Sequence, residues 1–214
     1  MSSCPRARHR LTVLLLVVAV GLTAAVVWRK GVRDHVVPRR LGEVVPGVLY
    51  RSAQIEGNLI DDVIDARGVR TVLNLGVFQG HRAYHDAELA VCAARGVEVE
   101  QYGLRGDGTG DPAAYVDVVA RMKHARDAGE PLLVHCSAGV NRTGAAVALF
   151  RILIEHARPA DALAEMERFG FDPADNTALI PYLNEHIDDI AHGLEARGVI
   201  SALAGPLPQF PRAD

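Results

Sequence analysis

The chain has 214 residues, with 23 Lys and Arg against 26 Asp and Glu and a formal net charge of −3. That length holds one domain with a sizeable core, and the slightly acidic balance gives no reason to expect nucleic acid as a partner. Its three cysteines, Cys4, Cys92 and Cys136, are too few and too scattered for a disulfide framework.

Residues 1–10 form a basic segment with Arg6, Arg8 and Arg10, and residues 11–28 are uncharged and almost wholly apolar. As a helix rising about 1.5 Å per residue, this run spans about 27 Å, close to the hydrocarbon thickness of a bilayer. Trp28 beside Arg29 and Lys30 fits an interfacial position. The expectation is an uncleaved single-pass anchor over 11–28. A cleaved signal peptide is the competing reading, but the run is long for an h-region and its end, Ala24-Ala25-Val26-Val27-Trp28, lacks an A-x-A site. Basic residues flank both ends, so the side of the membrane stays open. Residues 29–43 read as a basic linker.

The main domain is expected over 44–200, opening with a Pro46-Gly47 turn into a short strand. Leu59, Ile60, Val63, Ile64 and Ala66 have helical spacing, ended by Gly68. Val69 to Leu75 is a β-branched strand, Ala83 to Arg95 a helix stopped by Gly96, and Val97 to Tyr102 an alternating strand. His81, Arg82 and His85 form a cationic cluster, read as a solvated helix face or the rim of a cleft. Cys92 reads as core. Leu104 to Asp111 holds three glycines within five residues and reads as a mobile loop. Asp111-Pro112 then opens a helical run to Ala128 with an N-cap and a proline at the first position. Further helices are expected over 143–156, 159–169 and 176–194, with an irregular Pro-rich tail at 201–214. Strands alternating with helices predict an α/β domain, a mostly parallel sheet of four or five strands with helices on both faces.

The most informative stretch is His135-Cys136-Ser137-Ala138-Gly139-Val140-Asn141-Arg142-Thr143-Gly144. It lies between a short apolar strand, Pro131 to Val134, and a buried helix opening at Ala145. A strand-to-helix loop aims backbone N–H groups at one point, and the helix N-terminus adds partial positive charge. Arg142, six residues after Cys136, offers a planar fork for two oxygens of a phosphoryl group. Inside that positive bowl Cys136 should be largely thiolate. A nucleophile and a tetrahedral-anion cradle in one loop point to phosphoryl transfer. No His, Cys and Asp spacing reads as a metal site, and the chemistry calls for no cofactor.

This loop resembles the signature of the cysteine-dependent protein phosphatases, nearest to their dual-specificity-like branch. Pro46-Gly47-Val48-Leu49-Tyr50-Arg51-Ser52-Ala53-Gln54 is similar to the segment that opens bacterial members. The resemblance implies a protein tyrosine/dual-specificity phosphatase-like fold and a Cys136 nucleophile that forms a cysteinyl-phosphate. Phosphate would be bound by Arg142 and the backbone of Ser137, Ala138, Gly139, Val140, Asn141 and Arg142. Thr143 would support the departing thiolate, and His135 would orient the loop and tune the sulfur. A general-acid aspartate is implied on a movable loop upstream, where Asp107 and Asp111 compete. Asp111 already has a capping job and Asp107 has none, which favours Asp107. Bacterial relatives often carry a basic residue after Asn-Leu; Gly76 stands there in this chain, so any phosphate contact from that position is missing. Tyr50 and Arg51 read as strand-edge packing and surface charge.

The substrate expected is phosphotyrosine, with phosphoserine or phosphothreonine, on protein. Ser137, Ala138, Val140 and Asn141 include no lysine of the kind that phosphatases of highly phosphorylated inositides often place in this loop. The partners implied are a phosphorylated protein or small phosphate ester and a membrane, with no nucleic acid. The alternatives are an inositol or phosphoinositide phosphatase at the membrane and a catalytically silent phospho-binding module. A rhodanese-like sulfurtransferase has a different loop spacing, and a tethered scaffold would show no turnover.

Overall fold

The computed structural model describes residues 5–28, 36–76, 82–201 and 205–211. It divides into two compact units, residues 1–37 and 38–214. The first carries helix α1, Pro5–Val27, over the stretch where an anchor is expected. Its large apolar side chains from Leu14 onward are exposed. Among the described residues no helix is long and apolar enough to cross a membrane; in α1 the described side chains begin at Leu14.

The second unit is built on a five-stranded sheet: β1 Gly42–Val45, β2 Leu49–Ala53, β3 Thr71–Gly76, β4 Glu98–Leu104 and β5 Leu132–Cys136. Strand order is β1-β2-β5-β3-β4. Only the β1–β2 hairpin is antiparallel; β2, β5, β3 and β4 run parallel. β1 begins inside the stretch expected to be linker. It makes β2 an inner strand, paired on both sides, so Tyr50 and Arg51 do not lie at a strand edge.

Helices α2 Gly57–Arg67 and α3 Arg82–Arg95 follow β2 and β3, and α4 Pro112–Ala128 follows β4. After β5 come α5 Asn141–Leu153, α6 Pro159–Arg168 and α7 Leu179–Ala196. Strands β3 and β5 are buried along their whole length, as parallel strands covered on both faces must be. Their side chains alternate between two cores. Leu132, Val134, Cys136, Leu73 and Leu75 face α4, α5 and α7, whereas Leu133 and Val72 face α2 and α3. The chain winds outward from β2 through β3 to β4, then returns to insert β5 between β2 and β3. Cys136 therefore ends the central strand, at the carboxyl edge where open α/β sheets bind ligands.

Glycine stops are seen where the sequence predicts them. Gly68 and Gly129 follow α2 and α4 in the left-handed conformation, as does Gly96 after α3. The tail is irregular but not loose throughout. Phe210 is buried in the larger core, its N–H donating to Asn184 Oδ1 at 2.7 Å and its carbonyl accepting from Asn184 Nδ2 at 3.0 Å.

Candidate active site

β5 delivers Cys136 into the core and then breaks into the loop 137–140 before α5. The helix opens at Val140, whose side chain makes no capping hydrogen bond. The N–H groups of its first turn are left without a side-chain cap, at the positive end of the helix dipole. Gly139 has φ +70, a conformation that side-chain-bearing residues rarely adopt. Its N–H donates to Cys136 Sγ at 3.2 Å.

Cys136 is almost fully buried, and burial by itself pushes its thiol up. The Arg142 charge, the hydroxyl and N–H of Thr143 and the N–H of Gly139 outweigh that and bring it below its ordinary value. Arg142 is held by Nη1 donating to the Leu75 carbonyl and Nη2 to Ser137 Oγ, both at 3.3 Å. Its buried Nε has no partner among the described residues, a donor that suits an oxyanion. The Leu75 carbonyl thus takes part in the site by gripping Arg142, although Gly76 brings no cation. The site gathers a thiol held below its ordinary value, uncapped N–H donors and a guanidinium, a bowl suited to a tetrahedral anion.

His135 points to the opposite face of the sheet. Its Nε2 lies 2.8 Å from Glu88 Oε1 on α3, and both side chains are buried. Asn74 Nδ2 donates to the other Glu88 oxygen at 2.8 Å. Burial works against both charges, but their mutual attraction prevails: His135 is raised and Glu88 lowered relative to their ordinary values. Glu88 escaped the sequence reading because a glutamate in a helix normally faces water. The only hint was its place three residues after His85, on one helix face. Of the cationic cluster, His81 and the Arg82 side chain lie outside the described residues. His85 turns inward rather than to solvent or a cleft rim, with Nε2 2.7 Å from Gln101 Nε2 and Nδ1 3.9 Å from Glu88 Oε2.

The two competing aspartates separate clearly. Asp111 is exposed and caps α4, its Oδ1 accepting from Ala113 N at 2.9 Å with proline at the helix start. Asp107 Oδ1 accepts from the N–H and the hydroxyl of Thr109, at 2.9 and 2.8 Å. Partial burial pushes its carboxyl up, but these Thr109 bonds more than offset it and hold it below its ordinary value. The loop that carries it is strapped down rather than free. Asn176 Nδ2 donates to the Asp107 carbonyl at 2.7 Å, Tyr115 Oη to Gly108 at 2.6 Å and Tyr182 Oη to Gly110 at 3.1 Å. Asn141 Nδ2 also donates to the Gly106 carbonyl at 3.2 Å, joining this loop to the start of α5 beside Cys136. Asn176, Tyr115 and Tyr182 were not singled out in the sequence.

Cys92 is buried and its thiol is pushed up to about 12, as befits an inert core cysteine. Among the described residues no group of His, Cys, Asp and Glu could hold a metal ion.

Parts of this chain are similar to known proteins. The family model described as protein-tyrosine phosphatase matches residues 106–167. The dual specificity protein phosphatase TpbA of Pseudomonas aeruginosa (strain UCBPP-PA14) is 38% identical over 66 residues, 31% of this chain and 30% of that protein. Receptor-type tyrosine-protein phosphatase V of Rattus norvegicus is 48% identical over 50 residues, 22% of this chain and 3% of that protein. The chain thus aligns with less than a third of the length of these curated relatives. Among solved structures, P. aeruginosa TpbA superposes with a TM-score of 0.59 at 24% identity, covering 73% of this chain and 91% of that one. The core catalytic domain of the PP-IP phosphatase SIW14 from S. cerevisiae gives 0.58 at 20%, covering 80% and 97%. At these identities the structures speak for the fold alone. The stretch that carries the signature loop is thus similar to cysteine-dependent phosphatases, the bacterial dual-specificity phosphatase TpbA among them.

Proposed function

We propose that this protein hydrolyses phosphate monoesters, with phosphotyrosine and phosphoserine or phosphothreonine on protein as the substrate class. The observation that carries the reading is the Gly139 N–H on the Cys136 sulfur beside Arg142, in a loop whose helix start is uncapped. In the first step the Cys136 thiolate attacks phosphorus in line and the P–O bond to the leaving group breaks. The Asp107 carboxyl gives its proton to the departing oxygen. Arg142 and the N–H groups of the bowl hold the three equatorial oxygens as charge spreads over them. In the second step a water attacks the cysteinyl-phosphate and passes a proton to the Asp107 carboxylate. The P–S bond breaks, and the Thr143 hydroxyl supports the released thiolate.

The protein substrate is preferred over a polyphosphorylated inositide because Ser137, Ala138, Val140 and Asn141 bring no positive charge for further phosphates. The inositide reading draws on SIW14 and on the similar fold of PTPMT1, whose structure is also known in complex with PI(5)P. α1 serves, in this proposal, as a membrane anchor: its exposed apolar side chains suit lipid better than water.

The test is p-nitrophenyl phosphate hydrolysis by the full chain in detergent with reductant, beside its Cys136→Ser variant. Turnover in the parent and none in the variant supports the proposal. Equal turnover in both overturns it.

A further inference from the structure

Arg51 is a buried cation with no accessible surface, and it lies behind the phosphate loop rather than in it. On β2 it pairs with Val134 of β5, two residues before Cys136, so its side chain emerges on the face of the sheet that carries the sulfur. Its Nη2 donates to the Gly139 carbonyl at 2.8 Å, and its guanidinium stacks on the Phe169 ring at 3.8 Å. Arg40 completes the arrangement. Its Nη1 donates to the Ala138 carbonyl at 3.0 Å and its Nε to the Phe169 carbonyl at 2.9 Å.

Two consecutive carbonyls of the loop are therefore turned toward guanidinium groups. In a trans peptide the N–H points opposite to the C=O of the same unit. Holding the Ala138 carbonyl behind the loop aims the Gly139 N–H forward, where it meets Cys136 Sγ at 3.2 Å. Holding the Gly139 carbonyl in the same way aims the Val140 N–H into the bowl. A neutral donor could make these hydrogen bonds. A fully buried arginine costs far more to desolvate, and Nε and Nη1 of Arg51 lack partners among the described residues. Its charge is matched by Glu165 and by the sulfur itself, with Arg40 and Arg151 opposing it.

We infer that Arg51 and Arg40 are positioning residues that turn two successive peptide units of the phosphate loop, aiming the Gly139 N–H at the sulfur and the Val140 N–H at the bound oxyanion. Arg51 adds a second positive charge behind the thiolate. The inference rests on the phosphatase reading only for what the bowl binds. The groups facing the sulfur are Arg142 and Thr143 from α5, Tyr115 from α4, His135 of its own strand and Arg51 from β2. Among these the two positioning arginines contribute only Arg51 directly.

The test measures iodoacetamide alkylation of Cys136 against pH and binding of orthovanadate. It uses the full chain and its Arg51→Met, Arg51→Lys and Arg40→Gln variants, with Cys136→Ser as the alkylation background. Arg51→Met should slow alkylation at pH 6 about tenfold, move its midpoint to higher pH and weaken vanadate binding about tenfold. Arg51→Lys should move both in the same direction by less, because one donor and a charge can remain. Arg40→Gln should move the alkylation midpoint more than vanadate binding. Unchanged midpoint and vanadate affinity in the folded variants, whatever their melting temperatures, would overturn the inference. Alkylation needs no turnover, so shifted midpoints in a chain that hydrolyses nothing would keep this inference and sink the phosphatase reading.

Discussion

Gly139→Ala is the sharpest single perturbation of the loop. A Cβ built at Gly139 would sit 2.5 Å from Ala53 N, 2.5 Å from Ser52 O and 2.7 Å from Ser52 C. All three are backbone atoms of β2, and that strand cannot yield easily. Ser52 and Ala53 pair with His135 and Cys136, and the Ala53 N–H donates to the Arg39 carbonyl at 2.9 Å. A left-handed φ on alanine costs about 1–2 kcal/mol, and overpacking against a fixed neighbour about 1–3 kcal/mol. A total of about 3 kcal/mol corresponds to a melting temperature about 6–12 °C lower for a domain of this size. To escape the contact the loop must move by a good fraction of an ångström, which breaks the Gly139 N–H contact with Cys136. A displacement of that order costs about 100-fold in rate. Thermal melting with p-nitrophenyl phosphate kinetics on the full chain checks both figures. A variant within twofold of the parent rate at an unchanged melting temperature would refute this account of the loop.

The aspartates should separate by assay. Asp107→Asn should lower kcat by about 100-fold or more with little loss of stability, whereas Asp111→Ala should cost about 1 kcal/mol of stability and leave kcat near the parent value; the reverse pattern in kinetics and melting contradicts the assignment. The proposed mechanism requires Cys136 ionised and Asp107 protonated, and both groups lie below their ordinary values, so the kcat/KM profile should peak on the acid side of neutrality. Thr109→Val removes one bond to the Asp107 carboxylate, and its profile should lose activity at higher pH than the parent's. Glu88→Gln should change the pH dependence of melting. His135 is raised, so its stabilisation is complete below its ordinary 6.5 and fades as pH rises through the folded value. Glu88 is lowered, so its share is complete above its ordinary 4.5 and fades as pH falls through the folded value. The parent should outmelt Glu88→Gln most clearly between those two ordinary values, and a constant difference across pH would argue against the ion pair.

The parts that local chemistry dictates were legible in the sequence. Cysteine and arginine at their fixed spacing, between a strand-forming and a helix-forming apolar run, specified the bowl. Gly68, Gly96 and Gly129 marked helix ends because left-handed closure needs them. Asp111-Pro112 announced its cap. The parts that depend on packing at a distance were hidden. Glu88 lies 47 positions before His135, and only the packing of α3 over β3 and β5 brings the two together. Arg51 read as surface charge because nothing local revealed that β1 would pair on its outer side. Gly106, Gly108 and Gly110 suggested a free flap, yet Asn176 and Tyr182, more than 60 positions later, tie their loop down. The burial of Phe210 depends in the same way on Asn184 waiting on α7.

The central claim is that the phosphoryl group passes through sulfur. The most direct measurement is rapid acid quenching of the full chain turning over a radiolabelled phosphotyrosyl peptide, followed by mass mapping of the label. The account predicts a phosphorylated peptide containing Cys136, absent from Cys136→Ser. Turnover at the parent rate with no label on Cys136 at any quench time, including under conditions that slow the second step, would contradict it.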